Sequence, residues 1–187
     1  MVTAIDKNTA LVLIDLQKGI VGYPLAHPAS DVLENAAKLV AAFRKANLPV
    51  VIVNVNASGA AWTKSRKDAV QRASGAFNDD WLEITPEIKT QPDDIFITKH
   101  TWGAFFETKL HEELQKREVT GIVIAGIATS IGVEGTARQA SERAYNITFA
   151  SDAMMDMVPS AHEHSINIIF PRIGEVDVTD RIVEHLS

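Results

Sequence analysis

Asp15, Lys99 and the segment Gly126-Ile127-Ala128-Thr129-Ser130-Ile131-Gly132-Val133-Glu134-Gly135 are the residues of this chain whose types suit chemistry. A carboxylate and an ammonium at the mouths of apolar strands need partners, because an unpaired charge away from water is costly. Together they offer a proton-transfer group and a cation to hold it. They can equally satisfy each other as a structural ion pair. The glycine-rich segment offers a different chemistry. Gly126, Gly132 and Gly135 let backbone approach a ligand closely, and a turn from strand to helix can present peptide N–H groups to it. An ordinary connection between a strand and a helix has much the same composition.

Each of these groups stands at the end of an apolar run. Ala10 to Leu16 reads as a first strand ending around Asp15, and Val50 to Val55, opened by Pro49, as a second. Asp93 to Lys99 reads as a third strand, Gly121 to Ala125 as a fourth, Tyr145 to Ser151 as a fifth and Gly174 to Val178 as a sixth. Short, continuous apolar runs of this kind suit parallel strands covered on both faces. Between them, Val32 to Ala46 carries Leu33, Ala36, Ala37, Val40, Ala41 and Phe43 at helical spacing, with Ser30 or Asp31 as its cap. Further helices are expected from Thr108 to Lys116 or Arg117, from the glycine turn to about Ala144, from Ser160 to Ile169 and from Thr179 to Leu186. The alternation predicts a parallel sheet with right-handed crossovers and helices on both faces. In such a sheet Asp15, Lys99 and the glycine turn share one edge and can share a pocket. Asn56 to Asp80 is irregular, contains Trp62 and Gly75, and is long enough to serve as a lid or a subunit contact.

With 187 residues, 46% hydrophobic and 22% charged, the chain suits one domain with a sizeable core, spanning residues 1–187. The net charge of −6 argues against nucleic acid or an anionic membrane surface as a partner. No apolar run approaches the roughly 20 residues that span a bilayer. The absence of cysteine removes disulfides, thiolate metal sites and cysteine nucleophiles. Together with a start that carries no basic-then-apolar leader, it gives the expectation of a cytoplasmic protein.

The runs ALVLIDLQKGI, ITKHTWGAFFET and VIAGIATSIGVEGTARQA resemble the signature segments of the isochorismatase-like hydrolase family, within the cysteine hydrolase superfamily. YNITFASDAMMD is similar to a further block, so the resemblance covers essentially the whole chain. It implies a three-layer α/β/α fold around a six-stranded, mostly parallel sheet. It also implies the catalytic aspartate, lysine and cysteine of amidases such as nicotinamidase. By position the aspartate is Asp15 and the lysine Lys99, while the cysteine position holds Gly132. A thiolate route is therefore closed. Thr129 and Ser130 are near, but neither occupies the nucleophile's position.

True isochorismatases of the family resemble this chain in carrying glycine there, in a pair like Ile131-Gly132. The resemblance then implies cleavage of a vinyl ether in a small carboxylate-bearing molecule, without a covalent enzyme intermediate. Asp15 would be general acid or water holder, Lys99 would orient it and the substrate carboxylates, and Gly132 would leave room for the ring. Gln17, Trp102, Phe105, Ile127, Ala128, Thr129 and Ile131 are carried over as substrate-binding residues. A non-proline cis peptide between Ile127 and Ala128 and a homo-oligomer, dimer or tetramer, are implied as well. No cofactor is expected. No metal is expected either, since the Asp-x-His of the family's metal-binding members is matched by Asn54-Val55-Asn56. The six histidines, His27, His100, His111, His162, His164 and His185, show no spacing of a zinc site. An amidase working by a non-cysteine route, a binding protein that has lost catalysis and a scaffold with a vestigial pocket remain as alternatives.

Overall fold

The structure is a computed structural model that describes residues 1–68 and 77–186. Six strands form one parallel sheet: β1 (Thr9–Ile14), β2 (Val50–Val55), β3 (Ile95–Lys99), β4 (Gly121–Ile127), β5 (Asn146–Met155) and β6 (Glu175–Asp177), in the order β3-β2-β1-β4-β5-β6. The chain starts in the middle and winds outward both ways. The strand order therefore reverses between β1 and β4, where parallel α/β sheets open a crevice at the carboxyl ends of their strands.

β1 and β4 are buried along their whole length because helices cover both faces. Successive residues of β1 alternate between two cores, as the period of a strand requires. Ala10, Val12 and Ile14 face a cluster with Leu110, Leu114, Ala137, Ala140 and Phe170. Leu11 and Leu13 face another with Leu33, Ala36, Leu39, Val40, Phe43 and Ile182. Helices α4 (Leu110–Gln115) and α5 (Glu134–Ser141) thus close one face. Helices α2 (Ala29–Lys45) and α7 (Thr179–Glu184) close the other. This is the expected three-layer arrangement, and no described helix is long and apolar enough to cross a membrane.

Several expected bounds shift. β1 stops at Ile14 rather than Leu16, since Asp15 has φ 53° and leaves the extended conformation. α2 begins at Ala29 behind Pro28, which stands at the N-cap, and neither Ser30 nor Asp31 caps it. Thr108 does meet the start of α4, its hydroxyl accepting from the Leu110 N–H at 3.2 Å. β5 continues past Ser151 to Met155 through an irregularity, pairing Ile124 with Phe149 and then Gly126 with Met154. Gly126 has φ 126°, and a Cβ there would run into the backbone of Ile14. The glycine turn is one wide π-type turn, Thr129–Val133, leading into α5, and the Ile127–Ala128 peptide is cis. The helix expected over Ser160–Ile169 divides into α6 (Pro159–His164) and a π-type turn. Within the irregular stretch the described residues form a short 3-10 turn, Ala61–Lys64, and α3 (Asp79–Leu82); Gly75 lies outside the described residues.

Candidate active site

Asp15 and the glycine turn become neighbours because β1 and β4 pair in register from Thr9 with Gly121 to Ile14 with Gly126. Lys99 arrives from β3, which lies beyond β2. Two strand spacings amount to about 10 Å, a gap that the long lysine stem crosses and a shorter side chain would not. Its Nζ sits 2.8 Å from Asp15 Oδ2, with the side chains only 2% and 6% exposed. Lys99 Nζ also donates to the carbonyl oxygens of Thr101, at 3.1 Å, and Trp102, at 2.8 Å. An ammonium has three N–H donors, so all three are engaged. Asp15 Oδ1, by contrast, is buried and has no hydrogen-bond partner.

Gly132 stands against this pair. A Cβ on it would lie 3.0 Å from Asp15 Oδ2, 3.4 Å from Lys99 Nζ and 2.9 Å from the Ile14 Cγ2 methyl. The glycine therefore lets the turn press on the carboxylate. Burial raises the Asp15 carboxyl from its ordinary 3.8 to about 6, even though the Lys99 charge and hydrogen bond pull it down. Desolvation outweighs the cation because the carboxylate loses water on all sides and gains one partner. Such a group changes protonation close to neutral pH.

Above the pair lies a cavity of about 200 Å³. Asp15, Lys99, Trp102, Ile127, Ala128, Ile131 and Gly132 line it, so the structure brings these expected residues together. Three expected site residues stand outside the lining. Gln17 is fully buried, and its side-chain amide is spent on the Val55 N–H, the Val55 carbonyl and the Trp81 carbonyl. It braces the end of β1 to β2 and α3. Phe105 turns into the core under α4, 5.8 Å in ring separation from Tyr145, since backbone bonds to Thr136 and Gln139 rotate that loop inward. Thr129 is fully buried, and its hydroxyl pairs with His162 Nδ1 at 2.8 Å. Burial pushes the His162 ring below its ordinary pKa, with Asp156 and Glu163 opposing that shift. Ser130 is similarly engaged. Its N–H and hydroxyl both donate to Asp156 Oδ2 at 2.8 Å, which ties its side chain to the segment after β5. These bonds from α6 and the end of β5 hold the turn that carries Gly132.

The residues that sequence reasoning missed are mainly walls. Tyr23, Leu25, Phe77, Trp81 and Met157 line the cavity, and Trp62, from the segment expected to close over the site or meet a neighbouring subunit, joins them. Phe77 stacks on Trp81 with 3.9 Å between ring centroids. Gly19, on α1 (Lys18–Val21), lets Trp81 lie flat against it, since any Cβ there would overlap the indole. Lys18 ties α1 to α3 through Asp80 and Glu83, at 2.8 and 2.7 Å. Trp62 donates its indole N–H to the His100 carbonyl at 2.6 Å, while the His100 ring meets the Asn56 carbonyl and does not line the cavity. Among the described residues no three His, Asp or Glu side chains converge as a metal cluster. Asp152 caps α7, accepting from the Thr179 N–H and hydroxyl at 2.8 and 2.7 Å.

An Isochorismatase domain model matches residues 9–180. The chain belongs to the isochorismatase family. An uncharacterized isochorismatase family protein of Bacillus subtilis (strain 168), YwoC, is 44% identical over 183 residues, with 97% of this chain and 95% of that protein covered. The ureidoacrylate amidohydrolase RutB of Variovorax paradoxus (strain S110) is 28% identical, with 91% and 79% covered. A solved isochorismatase family protein of Burkholderia thailandensis superposes with a TM-score of 0.91 at 37% identity, covering 98% of this chain and 97% of that one. The chain is thus an isochorismatase-family hydrolase with Asp15, Lys99 and Gly132 at the floor of one cavity.

Proposed function

We propose that this hydrolase cleaves a small molecule by proton transfer from Asp15, with no covalent enzyme intermediate. The bond best suited to that chemistry is a vinyl ether. The observation that carries the reading is Asp15: it lines the cavity, its Oδ1 is buried without a partner, and its carboxyl titrates at about 6. A general acid works best with a pKa near the operating pH.

In the proposed step the Asp15 proton moves to the terminal carbon of the enol ether, leaving an oxygen-stabilised cation. Water adds to that cation. The resulting hemiketal breaks into an alcohol and a carbonyl compound, and the water's proton returns to Asp15. Lys99 holds the carboxyl in place through Oδ2 and favours the carboxylate that remains after transfer. Gly132 contributes space, not a nucleophile. The expected role of Lys99 in gripping substrate carboxylates finds no support in this geometry, because its donors already serve Asp15, Thr101 and Trp102. A serine route draws equally little support, since Ser130 does not line the cavity.

The test is hydrolysis of a panel of small enol ethers and amides by the native protein and by Asp15→Asn, with folding of the variant checked by circular dichroism. Asparagine keeps the size, tolerates the positive φ of position 15 and has no carboxylic proton. A loss of turnover of roughly 10²–10⁴-fold is expected. Near-native turnover in the variant refutes the reading.

A further inference from the structure

The loop after β3 is docked on α5, and that docking reaches the Asp15–Lys99 pair. Two consecutive backbone N–H groups of the loop donate to side chains of the helix. The Ala104 N–H meets Thr136 Oγ1 at 3.0 Å, and the Phe105 N–H meets Gln139 Oε1 at 3.0 Å. Residues three apart share a helix face, so one face of α5 receives both. The Thr136 hydroxyl is a donor as well, giving its hydrogen to the Gly132 carbonyl at 2.7 Å. Thr136 and Ala104 are fully buried, so neither group turns to solvent without a rearrangement. The approach of loop to helix is close. A Cβ on Gly135 would lie 3.3 Å from the Gly103 nitrogen and 3.3 Å from Trp102 Cβ.

We propose that Thr136 is a positioning residue for the Asp15–Lys99 pair, its hydroxyl joining the turn that carries Gly132 to the loop whose carbonyls hold the Lys99 ammonium. The path is short. Thr101 and Trp102 stand just before Ala104 in the loop, and their carbonyl oxygens accept two of the three Lys99 N–H groups. Once those two directions are fixed, the tetrahedral ammonium has its third N–H aimed at Asp15 Oδ2, 2.8 Å away. At the other end of the bridge, a Cβ on Gly132 would lie 3.0 Å from the same Asp15 oxygen. One hydroxyl thus ties together the two backbone segments that set the surroundings of the carboxyl group. Thr136 itself does not line the cavity and takes no part in proton transfer. The inference rests on the reading that Asp15 is the acid of the proposed hydrolysis.

The experiment follows the Asp15 carboxyl carbon by NMR of the full chain with isotope-labelled aspartate, across the acidic and neutral range. The resonance is identified by its loss in Asp15→Asn. Two variants separate the hydroxyl from the packing. Thr136→Val keeps the branched shape and removes the hydroxyl, while Thr136→Ser keeps the hydroxyl and removes a methyl. In the valine variant the buried Ala104 N–H has no acceptor, which is costly enough to move it. The loop then turns from α5 and takes the Thr101 and Trp102 carbonyls with it, so the hold of Lys99 on Asp15 loosens. Both contributions of Lys99 lower the Asp15 carboxyl against burial, and its titration is expected to rise from about 6. A rise of at least about half a pH unit is expected from the weakened cation contact. Thr136→Ser is expected to titrate as the native protein does, even where lost packing lowers its urea midpoint. A purely structural role moves the midpoint and leaves the titration in place. An unmoved or lowered titration in Thr136→Val overturns the inference, and so does an equal rise in both variants. If Thr136→Val does not fold, Gln139→Leu removes the companion acceptor at a half-buried position. It is expected to raise the titration likewise, and an unmoved value there overturns the inference. No substrate enters this measurement. Undiminished hydrolysis in Asp15→Asn refutes the proton-transfer reading and leaves the titration result standing.

Discussion

Replacing Lys99 with methionine isolates what the buried ion pair contributes. Methionine approximates the length of the lysine stem and fills the path across β2, but it supplies no charge and no N–H. Three contacts disappear: 2.8 Å to Asp15 Oδ2, 3.1 Å to the Thr101 carbonyl and 2.8 Å to the Trp102 carbonyl. Removing one partner of a buried pair costs ~3–5 kcal/mol when the other charge stays behind. Asp15 has an escape, because it can take a proton. Burial alone raises its pKa, while both contributions from Lys99 lower it, so in Lys99→Met the carboxyl must titrate above the native value of about 6. The sign of the pH dependence follows. Above that value the native Asp15 is ionised in both folded and unfolded chains and adds no slope. In the variant the folded chain keeps a proton that the unfolded chain has released, and stability falls as pH rises by up to ~1.4 kcal/mol per unit. Two pH units correspond to about 3 kcal/mol. Urea denaturation of both proteins at about pH 6 and about pH 8 measures this directly. The stability difference between native and variant is expected to widen toward the higher pH. An equal difference at the two pH values would refute the argument, because it would mean that Asp15 is not held by Lys99 against burial.

Three further outcomes are expected. Turnover by an acid form of Asp15 should decline as pH rises through about 6, and a rate that rises through that value instead makes the carboxylate a base. Gly132→Cys places its Cβ 2.9 Å from the Ile14 methyl and 3.0 Å from Asp15 Oδ2. Overpacking of this kind costs ~1–3 kcal/mol, so a lowered urea midpoint is expected, along with electrophile labelling faster than that of a free thiol. Undisturbed stability, or labelling at the free-thiol rate, counts against a tight and activating floor. Trp102 and Phe106 are 53% and 50% exposed side by side with a shallow apolar depression, and a homo-oligomer is expected. Sedimentation at micromolar concentration that returns the mass of one chain sinks that expectation.

The strand-and-helix alternation was legible in the chain because parallel strands buried on both faces must be continuously apolar, as the run ending near Asp15 is and the run ending near Val55 nearly is, while β3, at the edge of the sheet, buries only alternate residues. The candidate pair of Asp15 and Lys99 was legible for the same reason: charged residues at strand ends have few places to go. Strand ends were less so, since the halt at Ile14 depends on the left-handed backbone of Asp15 and the extension of β5 on pairing with Gly126. Neither leaves a mark in local composition. Tertiary structure alone decided which neighbours of the pair face the cavity. Trp102 and Phe105 are three residues apart, yet one lines the cavity and the other packs on Tyr145, because bonds from α5 set the direction of that loop. Thr129, carried over as a substrate contact, is consumed by His162, and Gln17, carried over likewise but suited to bracing, is held by backbone. Trp81 lies far along the chain from Asp15 and reaches the site through its packing on Gly19. The apolar pattern reports burial, which is a property of each residue. The site depends on side-chain direction and on contacts between distant segments, which only the folded chain supplies.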